Sequence, residues 1–264
     1  MQIKMVCKNF TCLIKYSICL YVVMSLFSSG CTKRKLLFQK RVAQLSEKKI
    51  AIILDDAGNT SKCLHDVMTI KFPVTIAILP SVAYSKFFYD IENPYVKKII
   101  HVPMEANKLN PGPETLYTSM TDEEIKQGLE TVYEQFPDCR GFNNHMGSVF
   151  MKDSRAVKQI FKFADSKKLF FLNSLTVNDD TANILAGEMS IKYMERDVFL
   201  DNKSDEDYIK EQFYKCLMLA EKNFSCIIIG HVRPLTIKTL KRIVPEAEKE
   251  GYSFVFLEDL YDLE

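Results

Sequence analysis

Ile50-Ala51-Ile52-Ile53-Leu54-Asp55-Asp56-Ala57-Gly58 runs five apolar residues straight into two adjacent carboxylates and a glycine. An unbroken apolar run, without alternation of apolar and polar residues, is what a parallel strand covered on both faces requires. Similar short runs recur at 74–79, 98–101, 141–143, 169–172, 198–200, 226–229 and 253–257. Between them lie stretches with helical spacing. Thr121 followed by Glu124 is a capping-box signal, after which Ile125, Leu129, Val132 and Phe136 recur on one face. Val157, Ile160, Phe161 and Ala164 mark a second helix. Ser204 with Asp207 opens a third, carrying Ile209, Phe213, Cys216, Leu217 and Ala220, and a last one starts near Thr236, with Pro245 interrupting it or starting a successor. Strand and helix alternate with no break in composition, which predicts one domain over 49–264 built as a (β/α) barrel of about seven to eight parallel strands; an open doubly wound sheet is the alternative.

Composition narrows the function. The 264 residues carry 35 Lys plus Arg against 34 Asp plus Glu, a net charge of +1, and 47% hydrophobic residues. That is enough apolar content for a large core, and no long-range field exists to attract a polyanion, so nucleic acid is not an expected partner. Residues 1–30 hold Lys4, Lys8 and Lys15, no acid, and an apolar stretch from Tyr16 to Phe27 that ends in Ser28-Ser29-Gly30-Cys31. This is the plan of a signal peptide, too short in its apolar part to span a bilayer. Small residues before Cys31 resemble a bacterial lipobox, which predicts a lipidated Cys31, a linker over 31–48, and an exported protein held to the membrane of the cell envelope. Without the leader, 32 basic face 34 acidic side chains. Cys63, Cys139, Cys216 and Cys226 show neither C-x-x-C nor zinc-finger spacing and read as buried small hydrophobes, with a disulfide as the alternative.

The chemistry is expected at the carboxyl ends of the strands, which a parallel α/β fold gathers on one face. Asp55-Asp56 ends the first run, and His101-Val102-Pro103-Met104-Glu105 ends the third. Gly141-Phe142-Asn143-Asn144-His145-Met146-Gly147-Ser148 clusters amides, an imidazole and glycines, and Ile229-Gly230-His231 closes a late strand. Arg196-Asp197-Val198-Phe199-Leu200-Asp201 adds charge around a brief apolar core. Three of the four histidines thus fall at strand ends; the fourth is His65. A carboxylate with two imidazoles suits zinc or a similar divalent ion that keeps a position for water. A second carboxylate can then take a proton and a third histidine can give one, which is the equipment for amide or ester hydrolysis. No G-x-S-x-G elbow and no phosphate-binding G-x-x-x-x-G-K-[ST] loop is present.

In order, Asp55-Asp56, His101-Val-Pro-Met-Glu105, Asn143-Asn-His-Met-Gly-Ser148, Arg196-Asp-Val-Phe-Leu-Asp201 and Gly230-His231 resemble the divergent polysaccharide deacetylase family across roughly residues 49–259. The resemblance implies a distorted (β/α) barrel related to the NodB-type carbohydrate esterases, and removal of acetyl groups from an N-acetylated envelope or extracellular carbohydrate with a divalent metal, most often zinc. By position it implies Asp55 as general base, Asp56, His101 and His145 as metal ligands, and His231 as general acid. Asn144, Arg196, Asp197 and Asp201 follow as groups that orient or tune these. Two departures stand out. No second histidine follows His101 within its own motif, so His145 must reach the ion from another strand. Where the family commonly has Asp-Ser-Arg-Thr, this chain reads Asn173-Ser174-Leu175-Thr176. The loss of two charges there motivates an alternative, a non-catalytic envelope protein that binds glycan or a partner through the same barrel.

Overall fold

Strand β1 (Lys48–Ala57) is buried along nearly its whole length because both its faces are covered. Ile50, Ile52 and Leu54 pack outward into the layer between strands and helices, while Ala51 and Ile53 join Ala77, Ile99, Leu172, Ile227 and Ile229 in a separate cluster inside the barrel. Two apolar environments on opposite faces explain the continuous hydrophobic runs. The computed structural model describes residues 47–263. The expected signal peptide, Cys31 and most of the linker therefore lie outside the described residues.

The remaining strands are β2 (Val74–Ile78), β3 (Val96–Met104), β4 (Gly141–Met146), β5 (Phe170–Asn173), β6 (Tyr193–Glu195), β7 (Val198–Phe199), β8 (Ser225–His231) and β9 (Tyr252–Val255). Every pairing is parallel, in the order β6-β5-β4-β3-β2-β1-β8-β7, and β9 pairs with the first half of β1. The result is the distorted (β/α) barrel, not the open doubly wound sheet. No ladder joins its two ends among the described residues; the chain itself passes from β6 to β7 through Arg196-Asp197. The Arg196 amide donates to the Asn173 carbonyl on one side and the Asp197 amide to the Ile227 carbonyl on the other.

Helices α1 (Leu64–Met68), α2 (Ser85–Tyr89), α3 (Asp122–Glu134), α4 (Ser154–Lys167), α5 (Thr181–Met189), α6 (Glu206–Asn223) and α7 (Pro234–Lys249) fill the connections. The capping box at Thr121 is formed in both directions, with Glu124 reaching back to the Thr121 amide at 2.7 Å. Asp205, not Ser204, caps α6 by accepting from the Tyr208 amide at 2.8 Å. Helix α7 starts with Pro234 and runs unbroken through Pro245. One missing backbone bond is outweighed there by a buried face of Ile237, Leu240, Ile243, Val244 and Ala247. The cysteines at 63, 139, 216 and 226 are buried and free.

Gly141 opens β4 because its interior position is occupied by a neighbour. A methyl group there would lie 2.3–2.5 Å from ring atoms of Phe170. Gly141→Ala is therefore expected to destabilise the fold by about 1–3 kcal/mol through overpacking, read as a lower urea midpoint at unchanged slope.

Candidate metal centre

Strand periodicity builds the site. On β1, β3, β4 and β8, every second residue faces the interior, and toward the carboxyl end these positions turn from small or apolar to polar: Asp55 after Ala51 and Ile53, His101 after Ile99, Asn143 after Gly141, His231 after Ile227 and Ile229. Register aligns these positions into one layer. Asp55 pairs opposite His231 and His101 opposite Asn143. An apolar barrel floor is thus topped by carboxylate, imidazole and amide groups at the carboxyl ends of the strands. The two carboxylates belong to β1 itself and do not follow it.

Asp56 should point away from this layer, since it is adjacent to Asp55. A bulge prevents that. The β1–β2 register slips by one residue between Leu54 and Ala57, and Asp56 adopts a left-handed backbone with φ of 63°. The extra residue swings the Asp56 carboxylate toward the same space as Asp55, a use of bulges common beside functional sites.

Three ligand-type atoms meet there. Asp56 Oδ1 lies 3.0 Å from His145 Nδ1 and 3.3 Å from His101 Nε2, and the two ring nitrogens are 3.1 Å apart. Asp56 Oδ1 is nevertheless buried without a hydrogen-bond partner. The three atoms fall within 4.8 Å of one another, the one such group among the described residues. An orphaned buried carboxylate oxygen facing two imidazole nitrogens fits a divalent cation, and one oxygen with two nitrogens is a zinc-type donor set.

Asn143 settles the state of one ring. Its side-chain amide donates to Asp55 Oδ1 at 2.8 Å, so its carbonyl oxygen faces His101 Nδ1 at 2.7 Å and requires a proton on that nitrogen. In the neutral ring His101 Nε2 then carries the lone pair, aimed at Asp56 and His145. The second donor of Asn143 reaches Ser174 Oγ at 3.2 Å. Asn143 is fully buried and holds the proposed base and a proposed ligand with one side chain. Replacing it with Leu is expected to lower zinc affinity by about 10–100-fold, measured by chelator competition. Nitrogen-resolved NMR of the ring should then show His101 losing its fixed Nδ1-protonated tautomer.

Electrostatics follow from burial and neighbours. Burial pushes the Asp55 carboxyl above its usual range, against the pull of the His101 and His231 rings and the Asn143 amide. Burial acts the same way on Asp56, but the His101 and His145 rings outweigh it and hold that carboxyl far below the carboxylate range. His101 is raised: burial alone would lower it, and the charges of Asp55 and Asp56 reverse the sign. Protons and a cation therefore compete for the same groups.

The other candidates occupy definite places. His231 Nδ1 lies 2.7 Å from Asp201 Oδ1, and Asp201 Oδ2 accepts from the His231 amide at 3.0 Å and from Thr236 at 2.7 Å. Asp201 is 1% exposed and held below its ordinary range: burial raises it and the bonds from His231 and Thr236 prevail. The His231 Nε2 atom faces the cluster, 3.8 Å from Asp56 Oδ2. Asn144 points the other way, donating to the Met146 carbonyl at 2.7 Å and accepting from the Ser174 amide at 2.9 Å, so it braces the turn that carries His145. Arg196 binds the carbonyls of Ser174 and Leu175, and its charge acts on Asp55. Asp197 does not reach the cluster; it accepts from the Ile227 amide at 2.7 Å, four residues before His231. His65 lies on α1. Asn173, where the family pattern has an acid, turns outward and donates to the Tyr193 hydroxyl at 2.9 Å.

Comparison with known proteins agrees with this architecture. The chain is 30% identical over 212 residues to an uncharacterized protein of Haemophilus influenzae, covering 76% of this chain and 74% of that one. It is 29% identical over 198 residues to the uncharacterized protein YibQ of Escherichia coli K12, covering 74% of this chain and 62% of YibQ. The match thus spans less than two thirds of YibQ. Among solved structures, an uncharacterized protein from Agrobacterium tumefaciens shares the fold with a TM-score of 0.76 at 19% identity, over 80% of this chain and 88% of that one. The family model of the divergent polysaccharide deacetylases matches residues 52–261, and the chain belongs to that family.

Proposed function

We propose that this protein is a divalent-metal-dependent hydrolase that removes acetyl groups from an N-acetylated aminosugar glycan. The observation that carries this reading is the unpartnered, buried Oδ1 of Asp56 between two imidazole nitrogens, with a second carboxylate and a third histidine on the rim. Asp56, His101 and His145 would hold the ion, most simply zinc. When bound, such an ion supplies Lewis acidity, which acidifies water and stabilises negative charge on an acyl oxygen.

The chain's own groups do the rest. Asp55, lifted toward neutrality by burial and steadied by Asn143, takes a proton from the attacking water. The water oxygen bonds to the acetyl carbon as the carbon–nitrogen bond breaks. His231, on the same layer, gives a proton from Nε2 to the departing amine. Asp201 fixes the other ring nitrogen, so that Nδ1 carries a proton and Nε2 faces the reaction. The apolar floor below Asp55 keeps bulk water from competing from that side. The apolar stretch and the small residues before Cys31 support a place at the cell envelope, with the domain tethered through Cys31.

The test is acetate release by the zinc-loaded protein from acetylated chitooligosaccharides and peptidoglycan fragments, with Asp55→Asn as control. Release that the control lacks supports the reading. A metal-loaded protein that releases none from any of them contradicts it.

A further inference from the structure

Ser174 lies just past β5 and continues the inward phase of that strand, after Phe170 and Leu172 in the barrel interior. It is buried, and its three polar groups each meet a different residue of the site. The Ser174 amide donates to Asn144 Oδ1 at 2.9 Å, its carbonyl accepts from Arg196 Nε at 2.9 Å, and its Oγ accepts from Asn143 Nδ2 at 3.2 Å. The two backbone contacts fix where Ser174 stands. The hydroxyl is what it presents to the polar layer.

The turn that delivers this hydroxyl is held under strain. Leu175 takes a left-handed backbone with φ of 49°, uncommon for a side chain of its bulk. Asn173 Oδ1 accepts from the Leu175 amide at 3.0 Å, and Arg196 binds the Leu175 carbonyl at 3.1 Å, so both backbone polar groups of the strained residue are tied. Strain maintained by surrounding contacts clusters where a functional side chain must be aimed. Positions 173 and 175, which depart from the family pattern, thus shape the turn, and Ser174 between them points its hydroxyl at Asn143.

The chemistry of an amide gives that hydroxyl its role. Asn143 Nδ2 carries two hydrogens, one for Asp55 Oδ1 at 2.8 Å and one for Ser174 Oγ, while its oxygen meets His101 Nδ1 at 2.7 Å. Asn143 is fully buried, so removal of the hydroxyl leaves one of those hydrogens without an acceptor. The amide can recover a partner only by turning or shifting, and either movement draws it from Asp55 or from His101. Resting on the hydrolase reading, we infer that Ser174 is a positioning residue for that reaction: its hydroxyl holds the Asn143 amide in the orientation that serves Asp55 and His101 together. Ser174 supplies none of the three clustered ligand atoms and acts through Asn143.

The test is a double-mutant cycle on the full chain, Ser174→Ala with Asn143→Leu. Zinc affinity is read by chelator competition, and kcat and KM by acetate release from acetylated chitooligosaccharides. Ser174→Ala keeps both backbone contacts and is expected to lower zinc affinity and kcat by about fivefold each, the equivalent of one hydrogen bond, with KM unchanged. In the Asn143→Leu background the same substitution should change zinc affinity by less than about twofold, because the bond it removes is already gone. A further measurement needs no variant: in NMR of the metal-free wild type, the side-chain amide protons of Asn143 should be protected from solvent exchange. Wild-type zinc affinity in Ser174→Ala, an equal loss in both backgrounds, or an unprotected Asn143 amide overturns the role of Ser174 and leaves the hydrolase reading standing. A wild type that binds no zinc and releases no acetate overturns both.

Discussion

His145→Ala is expected to weaken zinc binding by more than about a hundredfold, because losing only an outer partner of a ligand already costs about 10–100-fold. The prediction depends on a geometry that sequence spacing alone does not supply. His145 comes from β4, 44 residues from His101, yet its Nδ1 sits 3.0 Å from Asp56 Oδ1. Competition with a chromophoric chelator measures the affinity, and far-ultraviolet circular dichroism checks that the fold persists. His65→Ala is the matched control, since His65 lies on α1 away from the cluster and its loss should change nothing. Equal zinc affinity in His145→Ala and wild type would remove β4 from the metal site.

The second large effect separates catalysis from binding. Asp55→Asn and His231→Gln are each expected to lower kcat by about 10²–10⁴-fold, the usual contribution of a positioned acid or base. Zinc affinity should change little, because neither group supplies one of the three clustered ligand atoms. Two pH effects accompany Asp55. Its carboxyl must be ionised to act, so kcat/KM of the zinc-loaded enzyme should fall at acid pH as it takes up a proton. In the metal-free chain burial raises its pKa. Stability runs the other way. A folded-state pKa above the unfolded one means the folded chain holds the proton more tightly, so metal-free stability falls as pH rises through the Asp55 pKa. Asp55→Asn removes that decline and should raise the melting temperature of the metal-free protein at neutral pH while abolishing turnover.

Much of this was legible in the chain, and the exceptions have physical causes. Eight strands announced themselves as apolar runs because both sheet faces are buried. Strand β6 did not, since Tyr193–Glu195 is half-buried at a sheet end and lacks the continuous hydrophobic signature. Helices α1 and α2 are five residues each, too short for periodicity to show, and neither they nor α5 has a side-chain cap. Pro245 pointed to a break that tertiary packing overrode. In the site, the five principal residues could be read from strand ends, but the choice between Asn143 and Asn144 required the phase of β4. Counting by two from Gly141 to His145 selects Asn143 as the inward residue. The bulge that turns Asp56 inward left no trace in the sequence, because Asp tolerates the left-handed backbone and needs no glycine there.

Arg196 and Asp197 show how one motif can serve the frame as well as the site. Their backbone and side chains fasten β5 to β8 where the sheet ends without a ladder, and Arg196 carries its guanidinium to the loop where the family pattern places one at Leu175. The outward turn of Asn173 toward Tyr193 likewise puts that departure outside the metal cluster.

The central claim is a shared cation, and diffraction at the zinc edge from a zinc-soaked crystal addresses it directly. The account predicts a single strong anomalous peak within bonding distance of Asp56 Oδ1, His101 Nε2 and His145 Nδ1. A crystal with no peak there, or with its zinc on other residues and these side chains directed apart, would contradict it.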